Sequence, residues 1–214
     1  MTNPVSEHSG TRGRTRRAII DAAATVLARD RAATLADIAK AAEVGRSTLH
    51  RYFHDRDDLL RALVEDSLHG LERAGTDAHP HEGPPLEAMR RMVASMVEVG
   101  ERILLLFGDA SLLETYGPAD AAGDADCADV DDSLLDLIRR GQADGVFDPD
   151  VSDAWIQNTV WALVYTGCEM ADKGLLPRHG VAQMVMRTLE NGIAAPAAAA
   201  APAARPALRV NAGQ

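Results

Sequence analysis

The sequence predicts an all-α protein, and three observations favour this fold class. Hydrophobic residues make up 46% of the 214 residues, as in globular chains, but aromatic residues make up only 4%. Alanine, the strongest helix former, is abundant, whereas strand-rich proteins depend on β-branched and aromatic residues. Several segments repeat their apolar residues with the 3.6-residue period of a helix. We therefore expect helices packed on helices, in a small N-terminal and a larger C-terminal domain.

Apolar periodicity and turn residues predict three helices in the first part of the chain, at residues 14–30, 34–42 and 46–53. Thr34 can cap the second of these helices, and Asp37, three residues later, resembles the partner residue of a capping box. Residues 43–45 form a tight break before the third helix. The polar segment 1–12 is expected to be a disordered basic arm.

Six further helices are expected in the rest of the chain, at residues 56–74, 86–99, 102–116, 130–141, 152–173 and 181–193. Loops rich in proline, glycine or acidic residues separate them, at 75–85 and 117–129. The first domain then covers residues 13–60 and the second covers residues 61–194. Residues 195–214 repeat Ala and Pro without periodicity, which indicates a disordered tail.

Charge is unevenly distributed along the chain, although the net charge is −10. Residues 11–61 carry eleven Lys and Arg against seven Asp and Glu, a balance of +4. The remaining residues carry eleven against twenty-five, a balance of −14. A basic first quarter on an acidic body is expected when one end of a protein meets phosphates.

Two short helices joined by a three-residue break, inside a basic segment, indicate a helix-turn-helix. The run from Thr34 to Leu60 resembles the signature of the TetR (tetracycline-repressor) family of transcriptional regulators. It has a Thr-capped helix with Ile38-Ala39, a Thr-Leu-x-x-Tyr-Phe recognition helix, and a basic residue and an acidic pair before leucine. This motif covers residues 14–62. Beyond residue 62, the sequence matches the family only in its number of helices and in a Gly-x-Phe-Asp-Pro turn before a Trp-rich helix.

The resemblance implies an all-α fold with an N-terminal three-helix helix-turn-helix DNA-binding domain and a C-terminal helical ligand-binding and dimerisation domain. Three positions depart from the family pattern. Glu43 stands where glycine is frequent and would need a left-handed backbone. Gly45 replaces a serine that would cap the helix better, and His50 replaces a frequent tyrosine.

The matched positions and their chemistry select the candidate DNA contacts, namely Arg14, Thr34, Arg46, Ser47, Thr48, His50, Arg51, Tyr52, His54 and Arg56. His50 and Arg51 should point into the major groove, where arginine commonly binds guanine. Arg56 stands where the family usually has a phosphate-binding lysine. The basic arm with Arg14 can reach the DNA backbone or the minor groove, whereas Arg29 and Arg31 are expected to be solvated.

The resemblance also implies an effector pocket in the second domain. The candidate lining residues are Met89, Met96, Phe107, Tyr116, Trp155, Trp161, Tyr165 and Glu169. For each of them, a place in the core is the alternative. The aromatic side chains, Glu169 and the acidic body would suit a cationic ligand.

A homodimer is implied through the last two long helices, at 152–173 and 181–193. Two apolar stripes are the expected contacts with the partner, Ile156/Val160/Leu163/Val164 and Met184/Val185/Leu189. The alternative is that these stripes belong to an ordinary monomeric core. A double-stranded, pseudo-palindromic operator requires two helix-turn-helix units and so favours the dimer.

These features predict a ligand-responsive, sequence-specific transcriptional regulator, most simply a repressor that a small-molecule effector releases, although activation stays open. An enzyme is not expected, because the sequence has no Gly-rich phosphate loop, Gly-x-Ser-x-Gly or His-Glu-x-x-His. A non-specific architectural DNA protein is the other alternative. No cofactor is expected. No metal is expected either, because His50 and His54 are spaced as a ligand pair but lack a third ligand.

A cytoplasmic location is also predicted, without a membrane partner. The N-terminus has no apolar stretch typical of a signal peptide, and no apolar run approaches the roughly 18 residues of a membrane helix. Cys127 and Cys168 are interpreted as free thiols in a reducing compartment, although two cysteines can form one bridge.

Overall fold

The structure, a computed structural model, describes residues 4–117 and 128–192, and both stretches are helical. The ten α-helices of these two stretches are α1 (Pro4–Arg29), α2 (Leu35–Ala41), α3 (Arg46–Tyr52), α4 (Arg56–Asp77), α5 (Pro85–Glu98), α6 (Gly100–Phe107), α7 (Ala110–Tyr116), α8 (Ala128–Ala143), α9 (Asp153–Asp172) and α10 (Val181–Gly192). A 3₁₀ turn over Arg178–Gly180 precedes α10. The all-α prediction is confirmed.

The first helix begins earlier than the sequence predicted. α1 starts at Pro4, so the disorder expected for residues 4–12 is wrong. Proline suits the first turn of a helix because its missing N–H would have no partner there. Once the buried part of α1 is helical, each further residue adds a hydrogen bond without a new nucleation cost. The predicted acidic loop at 118–127 and the predicted tail at 195–214 lie outside the described residues.

The helix predicted at 102–116 is two helices, α6 and α7. The amide of Gly108 donates to the carbonyl of Leu104 at 3.1 Å and ends α6. Asp109 then caps α7, because its carboxylate accepts a hydrogen bond from the amide of Ser111 at 3.0 Å. Apolar periodicity missed this break because the buried face continues across it.

Two apolar clusters hold the helices together. The first joins α1, α2, α3 and the start of α4, and Leu105 of α6 enters it. The second fills the space between α4 and the helices from α5 to α10. α4 belongs to both clusters, with Leu63 in the first and Val64 in the second. A domain boundary at residue 60 therefore remains a prediction, since one continuous helix crosses it.

Within residues 4–117 and 128–192, no helix combines the length and the hydropathy needed to cross a bilayer.

Candidate nucleic-acid interface and ligand site

The N-terminus of α2 is fixed by the capping box that the sequence predicted. The Thr34 amide donates to the Asp37 carboxylate at 2.8 Å, and the Asp37 amide donates to the Thr34 hydroxyl at 3.3 Å. Hydrogen bonds from the hydroxyl and the amide of Thr34 lower the pKa of Asp37. Such a cap stabilises a helix by about 0.5–2 kcal/mol, and here it sets the direction of the helix that braces α3.

The turn between α2 and α3 has the backbone that its sequence implied. Glu43 has a φ of 55°, in the left-handed region that glycine adopts more easily. The Val44 amide closes the turn by donating to the Ala39 carbonyl at 2.9 Å. Gly45 precedes α3 without any side-chain cap, as expected for a residue without a side chain.

α3 has one buried and one exposed face. Leu49 and Phe53 are buried in the first apolar cluster and anchor the helix. The candidate contacts on the opposite face are exposed, namely Arg46, Ser47, His50 and Arg51. Thr48 and Tyr52 are half-buried at the edge. The Arg51 guanidinium lies 5.5 Å from the centre of the Tyr52 ring. The helix therefore presents hydrogen-bond donors outward from a fixed base, as major-groove reading requires.

The basic residues of α1 form part of a helix and not a mobile arm. Arg14 lies on the exposed surface of α1. Arg17 forms an ion pair with Asp66 of α4 at 3.0 Å, and the Arg16 guanidinium lies 5.5 Å from the centre of the Phe53 ring. Arg16 and Arg17 are thus engaged within the chain, and the DNA contact of Arg14 stays a prediction.

Arg56 contacts the protein backbone through both ends of its guanidinium. One terminal nitrogen donates to the carbonyl of Ala33, and the other donates to the carbonyl of Arg31 at 2.7 Å. These bonds fasten the start of α4 to the segment before α2. The neighbouring His54 is exposed, and its amide donates to the Asp58 carboxylate at 2.9 Å. A phosphate contact by Arg56 stays a prediction, beside a structural role that the sequence did not reveal.

Replacing Arg56 with alanine is expected to destabilise the protein by about 1.5–3 kcal/mol, since each bond to a charged donor contributes more than a neutral one. Urea unfolding followed by circular dichroism measures this loss. Arg61→Ala, at an exposed position of the same helix, is the control and should unfold like the wild type. An unchanged midpoint for Arg56→Ala would show that the two carbonyl contacts contribute nothing.

The ligand candidates fall into separate groups. Met89 and Met96 are buried in the second apolar cluster, as the alternative of a place in the core predicts. The Tyr116 hydroxyl donates to Asp57 at 2.9 Å, at the contact between α7 and α4. Trp155 is 68% exposed, and Glu169 forms an ion pair with Lys173 at 2.9 Å. That the eight residues line one pocket stays a prediction.

Three of the aromatic candidates do lie close together. The rings of Phe107 and Trp161 are 5.2 Å apart between centroids, at an angle of 43°. Phe107 ends α6, and Gly108 follows it. A Cβ atom placed on Gly108 would lie 3.5 Å from the Tyr165 hydroxyl. We call Phe107, Trp161 and Tyr165 the aromatic cluster at the end of α6.

A small cleft of about 40 Å³ between α6 and α9 was missed by sequence reasoning. Its lining includes Val97, Gly100, Glu101, Leu104, Cys168 and Arg178. Arg178 donates to Glu101 at 2.7 Å, and Thr25 of α1 donates to the same carboxylate at 2.7 Å. Burial opposes ionisation of Glu101, but these hydrogen bonds prevail and lower its pKa. Burial raises the pKa of Cys168 to about 11, so this free cysteine stays a thiol at neutral pH.

The apolar stripes predicted for the dimer are largely core. Ile156, Val160, Val164, Val185 and Leu189 are buried within their own chain, so the monomeric-core alternative is correct for these five. Leu163 is half-buried, and Met184, at 51% exposure, is the one residue of the two stripes that is exposed to a partner. Periodicity could not separate the two cases, because apolar residues occur on more than one face of α9.

Another face of the same two helices is largely exposed. On α9 it carries Trp155, Thr159, Ala162, Thr166 and Met170, which follow one another at intervals of three or four residues. On α10 it carries Met184 and Thr188. We call these seven residues the outer stripe.

Arg29 and Arg31, expected in solvent, instead contact the second domain. Arg29 forms an ion pair with Asp172 at the end of α9, at 2.9 Å. Arg31 donates to the carbonyls of Leu104 and Leu105 in α6. The end of α1 is therefore fastened to two helices of the other cluster.

The family model described as bacterial regulatory proteins, tetR family, matches residues 19–63. The transcriptional repressor LfrR of Mycolicibacterium smegmatis is 40% identical over 194 residues, covering 90% of this chain and 97% of that protein. The transcriptional regulator NfxB of Pseudomonas aeruginosa is 29% identical over 168 residues, covering 77% of this chain and 87% of that protein.

Solved structures agree with these matches. The crystal structure of LfrR in complex with proflavine has a TM-score of 0.68 and 36% identity, covering 87% of this chain and 99% of that chain. The ketosteroid regulator KstR2 of Mycobacterium tuberculosis has a TM-score of 0.64 at 19% identity, covering 85% of this chain and 95% of that chain. The latter likeness concerns the fold alone.

Proposed function

Since this chain belongs to the TetR family of bacterial transcriptional regulators, we propose that it is a homodimeric repressor that binds a pseudo-palindromic operator and is released by a planar, cationic aromatic compound. The protein is a ligand-responsive DNA-binding regulator and not an enzyme. The observation that carries the proposal is the exposed row of donors on α3, held by the buried Leu49 and Phe53.

The exposed row assigns roles to the candidate contacts. His50 and Arg51 lie at the middle and end of α3 and are suited to base edges. Arg46 and Ser47 open the helix, where donors suit phosphate oxygens. Contacts of the first kind specify the sequence, whereas contacts of the second kind position the protein on any DNA.

The outer stripe supports the dimer. Trp155 of α9 and Met184 of α10 are large apolar residues that are exposed in the single chain. The small residues Thr159, Ala162 and Thr166 of the same stripe would allow a partner helix to approach α9 closely. In a two-fold dimer the same surface meets itself, and two recognition helices would then be separated by about one DNA turn, roughly 34–36 Å. Because its target is DNA, we place the dimer in the cytoplasm.

The effector class is proposed from two observations. LfrR, 40% identical to this chain, crystallises with proflavine, a planar cation. In this chain the aromatic cluster at the end of α6 offers two neighbouring rings, of Phe107 and Trp161, 5.2 Å apart. Aromatic faces attract cations, by about 0.5–2 kcal/mol per contact. The acidic body of the chain favours the same sign of charge.

Operator selection tests the DNA-binding part of the proposal. Purified protein is incubated with genomic fragments at near-physiological salt, and the bound fragments are sequenced. We expect one short pseudo-palindrome to be recovered. Fragments without a common sequence would favour the non-specific architectural alternative.

Proflavine is expected to bind the free protein, raise its melting temperature and reduce operator affinity at least about tenfold, within the usual range of allosteric coupling. Acridone, a neutral tricycle of similar shape, is the matched control for charge and should have little effect. Proflavine also intercalates into DNA, so its direct binding is measured without DNA by fluorescence. Equal binding of both compounds, or no binding of proflavine, would contradict the proposed effector class.

A further inference from the structure

The last turn of α6 is capped by an arginine from the other domain. Nη2 of Arg31 donates to the carbonyl oxygens of Leu104 and Leu105, at 3.1 and 3.2 Å. The Leu104 carbonyl also accepts the Gly108 amide, whereas the last carbonyls of a helix lack intrahelical partners and carry partial negative charge, so a guanidinium stabilises this end of α6. Arg31 follows α1 in the DNA-binding part of the chain, whereas α6 lies mainly in the second cluster and contributes Leu105 to the first. One side chain thus joins the two.

The backbone of Arg31 is equally fixed to the DNA-binding helices. Its carbonyl accepts a hydrogen bond from Arg56 at 2.7 Å, and Arg56 also holds the carbonyl of Ala33. The next residue, Thr34, is the cap of α2. A displacement of Arg31 would therefore act on α4 and on the helix that braces α3.

The same turn of α6 meets the aromatic cluster. Phe107 is its last residue and contacts Trp161. At Gly108, a Cβ atom would lie 2.5 Å from Nη2 of Arg31, 2.5 Å from the carbonyl oxygen of Leu104 and 3.5 Å from the Tyr165 hydroxyl. The guanidinium and the aromatic cluster thus converge on one residue, and glycine leaves the space that the guanidinium and the Leu104 carbonyl need to meet.

We infer that Arg31 is the positioning residue that couples effector binding to DNA binding, through the carbonyls at the end of α6. The inference rests on the proposed function, in that an effector inserting between Phe107 and Trp161 would shift this turn. A shifted turn no longer presents the carbonyls of Leu104 and Leu105 to Arg31. The effector then prefers the state in which the DNA-binding helices are released, and this differential affinity is the coupling.

Substitution of Arg31 by alanine tests the coupling with proflavine as the probe. In the wild type we expect saturating proflavine to reduce operator affinity at least about tenfold. In Arg31→Ala the reduction should fall to about threefold or less, while proflavine affinity of the free protein stays within about twofold. Because intercalation into the operator is common to both proteins, the difference between them reports the protein alone.

Arg29→Ala is the matched control. Arg29 also joins the domains, but through an exposed ion pair with the side chain of Asp172, which contributes little in water. It should keep the wild-type ratio of operator affinities with and without proflavine. An Arg31→Ala protein that keeps this ratio as well would overturn the inference.

Gly108→Ala tests the contact from its other side without removing a charge. The added methyl group would collide with both halves of the contact, the Arg31 guanidinium and the Leu104 carbonyl, and should reduce the coupling as Arg31→Ala does. The double variant should then show no further loss, because both changes break one contact. Fully additive losses would mean that Gly108 acts elsewhere and would count against the inference.

Amide hydrogen exchange supplies a readout that does not depend on the effector. By linkage, operator binding should slow exchange in the last turn of α6 of the wild type and of Arg29→Ala, but not of Arg31→Ala. Equal slowing in all three proteins would overturn the inference even if proflavine were not the effector. If only the exchange result is as expected, the proposed effector is wrong and the role of Arg31 stands.

Discussion

Replacing Ala162 with arginine is expected to separate the dimer into monomers and to reduce operator affinity about a hundredfold or more. Ala162 lies in the middle of the outer stripe, between Thr159 and Thr166, and is exposed in the single chain. The fold should therefore tolerate the longer side chain. In a two-fold interface the substitution occurs twice, and burying an unpaired charge costs several kcal/mol. A monomer retains one helix-turn-helix and about half of the phosphate contacts, which lowers its affinity steeply.

The control for this experiment is Ala94→Arg, the same change at an exposed position of α5 outside the stripe. Sedimentation gives the oligomeric state, circular dichroism checks the fold, and titration with the selected operator gives the affinity. Ala94→Arg should remain a dimer with wild-type affinity. A dimeric Ala162→Arg protein would refute the assignment of the outer stripe as the interface.

The second large effect is expected at Arg51, whose replacement by alanine should weaken operator binding by about 1–3 kcal/mol, or 5- to 150-fold. Arg51 is exposed on α3, and its guanidinium lies over the neighbouring Tyr52 ring, so it holds no other part of the described fold in place through that contact. Stability should therefore change little. A guanidinium that binds a guanine edge contributes to the operator much more than to random DNA, so discrimination should fall with affinity.

Competition between the operator and a random duplex, repeated at several salt concentrations, measures this discrimination. Arg73→Ala, at an exposed position in the last part of α4, is the matched control and should leave both affinities unchanged. Equal losses of Arg51→Ala on both duplexes, with a flatter salt dependence, would instead identify Arg51 as a phosphate contact.

Local sequence signals predicted the helix-turn-helix because each of them acts within a few residues. The capping box needs only Thr34 and Asp37, three positions apart, and both of its hydrogen bonds form. The positive φ of Glu43 follows from a three-residue turn between two helices. The burial of Leu49 and Phe53 follows from their spacing of four residues on α3.

Long-range partners, by contrast, have no signature in the sequence. Arg56 donates to carbonyls 23 and 25 residues away, and Arg31 donates to carbonyls 73 and 74 residues away. The sequence does not distinguish an arginine that donates to a distant carbonyl from an arginine that lies in solvent. The prediction that Arg31 is solvated was wrong for this reason.

The sequence by itself determined the helical fold, the position of the helix-turn-helix and the family, because composition, periodicity, caps and turn residues act locally. Only the tertiary structure decided which face of α9 is core and which is free. Both faces carry apolar residues, and burial depends on where α8 and α10 pack. It also decided that Arg31 and the aromatic cluster meet at Gly108, since helices distant in sequence converge there.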